Sequence, residues 1–278
     1  MTFEICFFHS VDFDGKASAA IAYQAGTKTL YGINYGDKFP WELVQGKRVL
    51  MVDFSLQPFS EMIKLNELCD LTWIDHHKSA LLDLRDSGVQ IKGIQRDGTG
   101  ACALTWEYLF TERPMPLAVQ MLAEYDVWNH TNPKTLPFQS GMRLKEWKPD
   151  DPDWEKLFYH NVFTSFIVAD GETILKYEQV QNRIRANALC FPVELDGLHC
   201  IAANQGLTNS KLFDSVWNSD EYDAMLTFSW HKDHWSISLY TDDRPDIDVS
   251  IIAKARGGGG HKNAAGFESK TLPWENQK

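Results

Sequence analysis

Short apolar runs alternate with amphipathic ones through the first half of the chain, and the alternation predicts strands and helices in turn. Phe3 to Phe8, Thr29 to Ile33, Val49 to Phe54, Leu71 to Ile74 and Val89 to Ile94 read as strands. Between them, the alanine-rich Lys16 to Ala25 reads as a helix closed by Gly26. Pro58 to Leu68 repeats apolar residues at helical spacing, and its proline falls in a first turn, where a missing N–H costs nothing. Cys102 to Phe110 and Pro116 to Tyr125 are further helices. Strands alternating with helices predict an α/β domain built on a mostly parallel sheet.

The pattern changes after Trp128. Residues 129–154 are rich in Asn, Pro, Trp and Lys and read as an irregular excursion. Asp170 then caps a predicted helix running to about Ala188, with Ile174, Tyr177, Val180 and Ile184 on one side. Beyond it lies a smaller unit with strands at Leu198 to Ala203, Ala224 to Trp230 and Trp235 to Tyr240, the last two joined by a turn at Lys232-Asp233. Lys211 to Trp217 and Val249 to Lys254 read as short helices, and the tail after Pro273 as frayed. The expected organisation is a domain over 1–165, a helical linker over 166–189 and a smaller α/β domain over 190–278.

Charge narrows the functions. The 278 residues carry 27 Lys and Arg against 38 Asp and Glu, a net −11, which argues against holding long nucleic acid by phosphate neutralisation. Cys6, Cys69, Cys102, Cys190 and Cys200 form no CxxC pair and read as reduced thiols of a cytoplasmic protein. No basic start precedes an apolar run, and no apolar stretch is long enough to span a bilayer, so neither secretion nor a membrane partner is expected.

Ionisable residues gather where the predicted parallel strands end. The first strand delivers His9, Asp12, Asp14 and Gly15; the third delivers Asp53; the fourth runs into Asp75, His76 and His77. Glu124, Tyr125, Asp126 and His130 lie at the end of a predicted helix. Open parallel sheets bind ligands at the carboxyl ends of their strands, so these groups are expected to converge. A single Asp is most often a turn or cap residue, but several carboxylates brought together repel one another unless a cation sits among them. Oxygen and imidazole donors without thiolate suit Mn²⁺, with Mg²⁺, Co²⁺ or Fe²⁺ also accommodated. A second signal is Arg256 followed by Gly257, Gly258, Gly259, Gly260, His261, Lys262 and Asn263, a loop whose backbone can approach a phosphate closely. Of the ten tryptophans, Trp128, Trp147, Trp230 and Trp235 are candidates to stack a base, although packing explains most tryptophans as well.

Together these motifs resemble the DHH phosphoesterases, in the subfamily with a DHHA1 C-terminal domain. Asp75-His76-His77 matches the naming signature, His9-x-x-Asp12-x-Asp14-Gly15 the first motif, Asp53 the second, Asp126 the fourth, and Gly257 to Gly266 the C-terminal glycine signature. The resemblance implies two α/β domains with an active cleft between them and two divalent metals, typically manganese. His9, Asp12 and Asp53 would hold one metal, and Asp14, Asp53, His76 and Asp126 the other, with Asp75 a further candidate ligand. Water activated by the metals would attack phosphorus, with Asp53 bridging and His77 facing the phosphate. Arg256, the glycines, His261 and Asn263 would grip the terminal nucleotide. Within the family the chain is similar to compact enzymes that degrade short oligoribonucleotides. Alternatives are a 3′,5′-bisphosphonucleotide phosphatase, a linear or cyclic dinucleotide phosphodiesterase and, in another class, a non-catalytic nucleotide sensor. Small phosphorylated nucleotides or short RNA are the expected partners, and a homodimer is left open.

Overall fold

The computed structural model describes residues 2–242 and 244–274. The end of the tail expected to fray, from residue 275 on, lies outside the described residues. The chain divides into two compact units, Met1–Leu175 and Lys176–Lys278.

The first unit alternates as the hydrophobic pattern demands. Its first elements are β1 (Ile5–His9), α1 (Phe13–Gln24), β2 (Leu30–Ile33), β3 (Arg48–Val52), α2 (Ser60–Leu68), β4 (Asp70–Asp75), α3 (Lys78–Ser87) and β5 (Lys92–Gln95). They are followed by α4 (Ala101–Leu109), α5 (Leu117–Asp126), α6 (Thr135–Met142), α7 (Asp153–Tyr159) and the first half of α8 (Asn161–Leu189). The five strands form one parallel sheet in the order β2-β1-β3-β4-β5. Alternate side chains feed opposite faces, as a period of two requires. Phe7, Met51 and Trp73 pack on one face, and Cys6, Phe8, Leu50, Val52 and Ile74 on the other with Ala19 and Ala22 of α1 and Leu104 of α4. The alanines of α1 let that helix lie close to the sheet while α4 and α5 cover its other side. The buried Trp73 meets its one polar requirement by donating from Nε1 to the Phe54 carbonyl at 2.9 Å.

Several expectations are corrected. Residues 129–154 are not irregular throughout: α6 lies within them and Trp147 is buried at 2% exposure. Asp170 does not cap a helix, because α8 begins nine residues earlier and carries Asp170 in its interior. Lys211 to Trp217 forms only a 3₁₀ turn over Ser210–Phe213. α3 is an element the apolar pattern did not announce.

The second unit contains β6 (Cys190–Leu195), β7 (Leu198–Asn204), β8 (Ala224–His231), β9 (His234–Tyr240), α9 (Val249–Lys254), β10 (Gly259–His261) and β11 (Ala264–Ser269). Its sheet has the order β10-β11-β9-β8-β7-β6, antiparallel except between β7 and β8. A two-domain α/β architecture with a parallel first sheet, a helical connection and a smaller second unit is therefore present, as expected. Among the described residues no helix is long and apolar enough to cross a membrane. The five cysteines are unpaired, and burial holds their thiols up, to about 11 at Cys69 and Cys190 and about 12 at Cys200.

Candidate metal centre

The strand order reverses direction between β1 and β3, which is where a doubly wound sheet opens a crevice at its carboxyl edge. Register brings the strand ends level there: Phe8 opposes Val52 and Val52 opposes Ile74, so His9, Asp53 and Asp75 leave the sheet side by side. After β1 the chain turns into α1, capped by Asp12, whose Oδ1 accepts from the Gly15 N–H at 2.9 Å. Gly15 is required at this turn, since a Cβ there would lie 2.0 Å from the His9 carbonyl oxygen. Asp53 takes up a left-handed backbone, φ +55°, while its N–H still donates to the Ile74 carbonyl at 2.9 Å. Such a conformation is costly outside glycine and least so for Asp and Asn. It keeps a carboxylate, 1% exposed, at the centre of the crevice.

Around Asp53 the side chains form two clusters. His9 Nδ1 lies 2.9 Å from Asp12 Oδ2 and 3.8 Å from Asp53 Oδ2. His76 Nε2 lies 3.2 Å from Asp126 Oδ2, 3.3 Å from Asp53 Oδ1 and 3.6 Å from Asp14 Oδ2. His9, Asp12 and Asp53 can supply ligand atoms to one ion, and Asp14, His76 and Asp126 to another. Asp53 directs one oxygen to each. Asp75 stands behind them: its Oδ1 accepts from the His76 and His77 N–H groups and lies 2.7 Å from His77 Nδ1. Asp75, His76 and His77 with Asp53 form a third grouping compatible with a metal.

The electrostatics fit a cation. Burial, reinforced by Asp14, Asp12, Asp75 and Asp126, pushes Asp53 well above the usual carboxylate range. Burial also raises Asp14, and burial with the Asp14 and Asp12 charges pushes Asp126 up to about 8. His77 is raised by its hydrogen bond to Asp75. Buried His9 Nδ1, Asp53 Oδ2 and His76 Nε2 make no well-formed hydrogen bond, although carboxylate oxygens lie 2.9 to 3.8 Å from the two imidazole nitrogens. Polar atoms buried so deeply are normally paired. Three unpaired donors converging from three strand ends, all nitrogen or oxygen, match the preference of a divalent ion such as Mn²⁺, Mg²⁺ or Co²⁺.

One part of the centre was missed by sequence reasoning. Both oxygens of Asp14 accept from the N-terminus of α4, from Ala101 N at 2.6 Å and Cys102 N at 2.8 Å. These N–H groups have no partner within the helix, and the helix dipole favours a carboxylate beside them. The signal in the sequence is Gly100 ahead of the apolar run. A Cβ there would meet Asp14 Oδ1 and the Ala123 Cα at 2.8 Å each. Gly100→Ala is therefore expected to displace Asp14 and to weaken divalent-metal affinity roughly 10- to 100-fold, as loss of a ligand's supporting partner does. Metal titration by calorimetry checks it, and unchanged affinity would remove α4 from the centre.

Of the three ionisable groups near the end of α5, only Asp126 reaches the cluster. Glu124 instead accepts from the hydroxyls of Thr131 and Thr135 at 2.7 Å each and from Asn132 N at 3.1 Å. The His130 ring stacks on Tyr125.

The glycine loop lies in the second unit. Gly258 and Gly260 are needed for packing, because a Cβ at Gly258 would fall 2.1 Å from the Gly266 carbonyl oxygen and one at Gly260 2.5 Å from the Ala265 Cα. Gly257, with φ +77°, and Gly259 both face open space. Arg256 makes a bidentate pair with Asp196, 2.7 Å on each arm, and lies over the Phe267 ring. His261 is exposed in β10, and the Asn263 carbonyl accepts from Thr241 N at 3.1 Å. Ser236, Ser238, Arg256, Gly257, Gly258 and Glu268 border an open depression of about 670 Å³.

Comparison with known structures places this architecture. The chain is similar to a pGpG-specific phosphodiesterase, PggH from Vibrio cholerae, with a TM-score of 0.56 and 12% identity over 95% of this chain and 92% of that one. It is also similar to the DHH domain of a member of the s1p family of ribosomal proteins, with a TM-score of 0.54 and 14% identity over 95% and 82% of the two chains. The fold is theirs. In sequence, the chain is 26% identical over 299 aligned positions to uncharacterized protein R106 of Acanthamoeba polyphaga mimivirus, spanning 95% of this chain and 67% of that protein. No family model matches the sequence.

Proposed function

We propose that this chain is a metal-dependent phosphodiesterase of the DHH type, with a DHHA1-like second unit, that hydrolyses short oligoribonucleotides to mononucleotides. The observation that carries the reading is the pair of Asp/His clusters meeting on Asp53 at the switch point of a parallel sheet. His9, Asp12 and Asp53 would hold one divalent ion, and Asp14, Asp53, His76 and Asp126 the second, with Mn²⁺ as the favoured ion. When bound, such ions neutralise the phosphoryl oxygens and make water nucleophilic at neutral pH.

The chain's own residues supply orientation and a proton. Asp75 fixes the His77 ring through Nδ1, which leaves Nε2 for the substrate, and the same bond favours the imidazolium. His77 can then hold a phosphoryl oxygen and give its proton to the departing ribose oxygen as water adds to phosphorus and the P–O bond breaks. Asp75 thus acts as an orienting group rather than as a ligand. The net charge of −11 favours short substrates over long RNA. A linear dinucleotide as the preferred substrate is the second reading, supported by the likeness to a pGpG-specific enzyme.

In the second unit Arg256, Gly257 to Gly260, His261 and Asn263 would take the substrate's terminal nucleotide, with Arg256 exchanging Asp196 for phosphate. His261→Ala is expected to raise KM about tenfold, the effect of one lost charge-assisted hydrogen bond, with kcat nearly unchanged. An unaltered KM would remove His261 from the site.

The deciding experiment incubates metal-stripped protein and Mn²⁺ with labelled RNA of two, three, five and twenty-four nucleotides, a 3′,5′-bisphosphonucleotide and cyclic dinucleotides. Preferential conversion of the shortest oligomers to mononucleotides is expected. Phosphate release from the bisphosphonucleotide alone would make the protein a nucleotide phosphatase. No turnover with metal bound would favour a sensor.

A further inference from the structure

Two exposed aromatic residues lie on the segments that carry the two clusters, Tyr35 with its ring against His9 and Trp128 two residues beyond Asp126, and the centre's own chemistry uses neither. Trp128 follows Asp126 by two residues, a span of at most about 7 Å between Cα atoms, comparable to the reach from a nucleotide's phosphate to its base. Its side chain is 74% exposed. Its backbone is left-handed, φ +53°, in the turn that ends α5, where its N–H donates to the Tyr125 carbonyl at 3.1 Å. Glycine is the least costly residue at such a position, and a bulky residue there is strained. Neither the turn nor the core therefore calls for tryptophan. The Tyr125 and His130 rings lie 5.6 and 5.1 Å from the Trp128 ring and support it from within the protein.

Tyr35 stands beside the other cluster. It is 52% exposed, with its ring 5.8 Å from His9 and 4.7 Å from Phe54. The loop that carries it is tied to the end of β1, because Ser10 donates from both its N–H and its hydroxyl to Asn34 Oδ1, at 3.3 and 3.0 Å. Of the four tryptophans singled out in the sequence, Trp147 is buried and Trp230 and Trp235 belong to the second unit, which leaves Trp128 as the exposed one in the unit that carries the centre.

We infer that Trp128 and Tyr35 are base-stacking residues that bracket the metal centre, so that the preferred substrate presents a nucleobase on each side of the phosphodiester under attack. The inference rests on the phosphodiesterase reading and makes it specific: two bases are recognised by their faces, without hydrogen-bond readout and hence with little sequence preference. A phosphomonoester or a base-free phosphoanhydride can engage at most one of the two platforms.

The test measures binding, by calorimetry with tryptophan fluorescence followed alongside, of a diribonucleotide with a non-hydrolysable methylene-phosphonate linkage to the metal-loaded protein. The same ligand without bases serves as control. Trp128→Ala and Tyr35→Ala are each expected to raise Kd roughly 5- to 150-fold for the dinucleotide and to leave the base-free ligand unaffected. Trp128→Phe and Tyr35→Phe are expected to restore most of the affinity, and Trp128→Phe to lose the quenching that dinucleotide causes in the wild type. Kd values within twofold of wild type, or equal losses for both ligands, would overturn the inference. Wild-type cleavage of dinucleotides with unchanged KM in the variants would sink the stacking inference alone. Hydrolysis of base-free phosphoanhydride with no dinucleotide binding would sink the phosphodiesterase reading as well.

Discussion

Asp53→Asn is expected to reduce turnover by more than 100-fold and, at pH 8, to raise the melting temperature of the metal-free protein. The two effects have one cause. Asp53 is the carboxylate common to both clusters, with Oδ1 3.3 Å from His76 and Oδ2 3.8 Å from His9. Residues that merely orient ligands cost about 10- to 100-fold when lost, so a shared ligand should exceed that range. Asparagine is the informative replacement because it tolerates the left-handed backbone at φ +55° and keeps the N–H bond to Ile74. Without metal, the buried Asp53 carboxylate sits among Asp14, Asp12, Asp75 and Asp126, and that proximity destabilises its charged form. An uncharged amide removes the repulsion, and each kcal/mol regained is worth about 2–4 °C in a domain of this size. Added Mn²⁺ should then stabilise the wild type but not the variant. If Asp53 merely satisfied His9 and His76 in a packed polar network, the variant would instead melt lower. Thermal denaturation with and without metal separates the two cases.

How much of this centre was legible in the sequence follows from where each signal comes from. Short parallel strands announce themselves by apolar runs, so the ends of β1, β3 and β4 and the residues leaving them were readable. Which of the groups near the end of α5 belongs to the centre was less so, because the choice between Glu124 and Asp126 depends on the helical turn on which each falls. The hold of α4 on Asp14 joins groups 87 and 88 positions apart through backbone N–H, and no side-chain pattern encodes it.

Residues 129–154 read as irregular because they are rich in Asn, Pro, Trp and Lys. Gly141 within that stretch and Gly171 beyond it both lie inside helices. They are crossing points, where a Cβ on Gly141 would lie 2.0 Å from the Ile167 carbonyl oxygen and one on Gly171 1.7 Å from that of Pro137. α6 and α8 approach backbone to backbone there, which only glycine permits. Pro137 itself lies in the first turn of α6, where proline is tolerated. Pro192 concealed β6 in the same way, and it is accommodated because β6 is an edge strand.

The second large effect concerns pH. Asp14, Asp53 and Asp126 have folded-state pKa values above those of an unfolded chain, with Asp126 at about 8. Between about pH 4, where an unfolded Asp titrates, and pH 8, the metal-free folded protein therefore holds more protons than the unfolded chain. Its stability from these groups is complete below pH 4 and is lost as pH rises towards 8, the reverse of ordinary acid denaturation by salt-bridged carboxylates. A divalent ion takes the deprotonated form, so binding releases these protons and its affinity rises with pH by up to about tenfold per unit for each proton released. Metal-free protein should melt at progressively lower temperature from pH 5 to pH 8, whereas metal-saturated protein should hold or gain stability over the same interval. Calorimetry in buffers of different ionisation enthalpy counts the protons directly. Because these carboxylates lose their protons only when the cation arrives, the predicted count is at least one at pH 7. A count of zero, with metal bound at the centre, would mean that the carboxylates are already ionised without it and that the repulsion ascribed to them is absent.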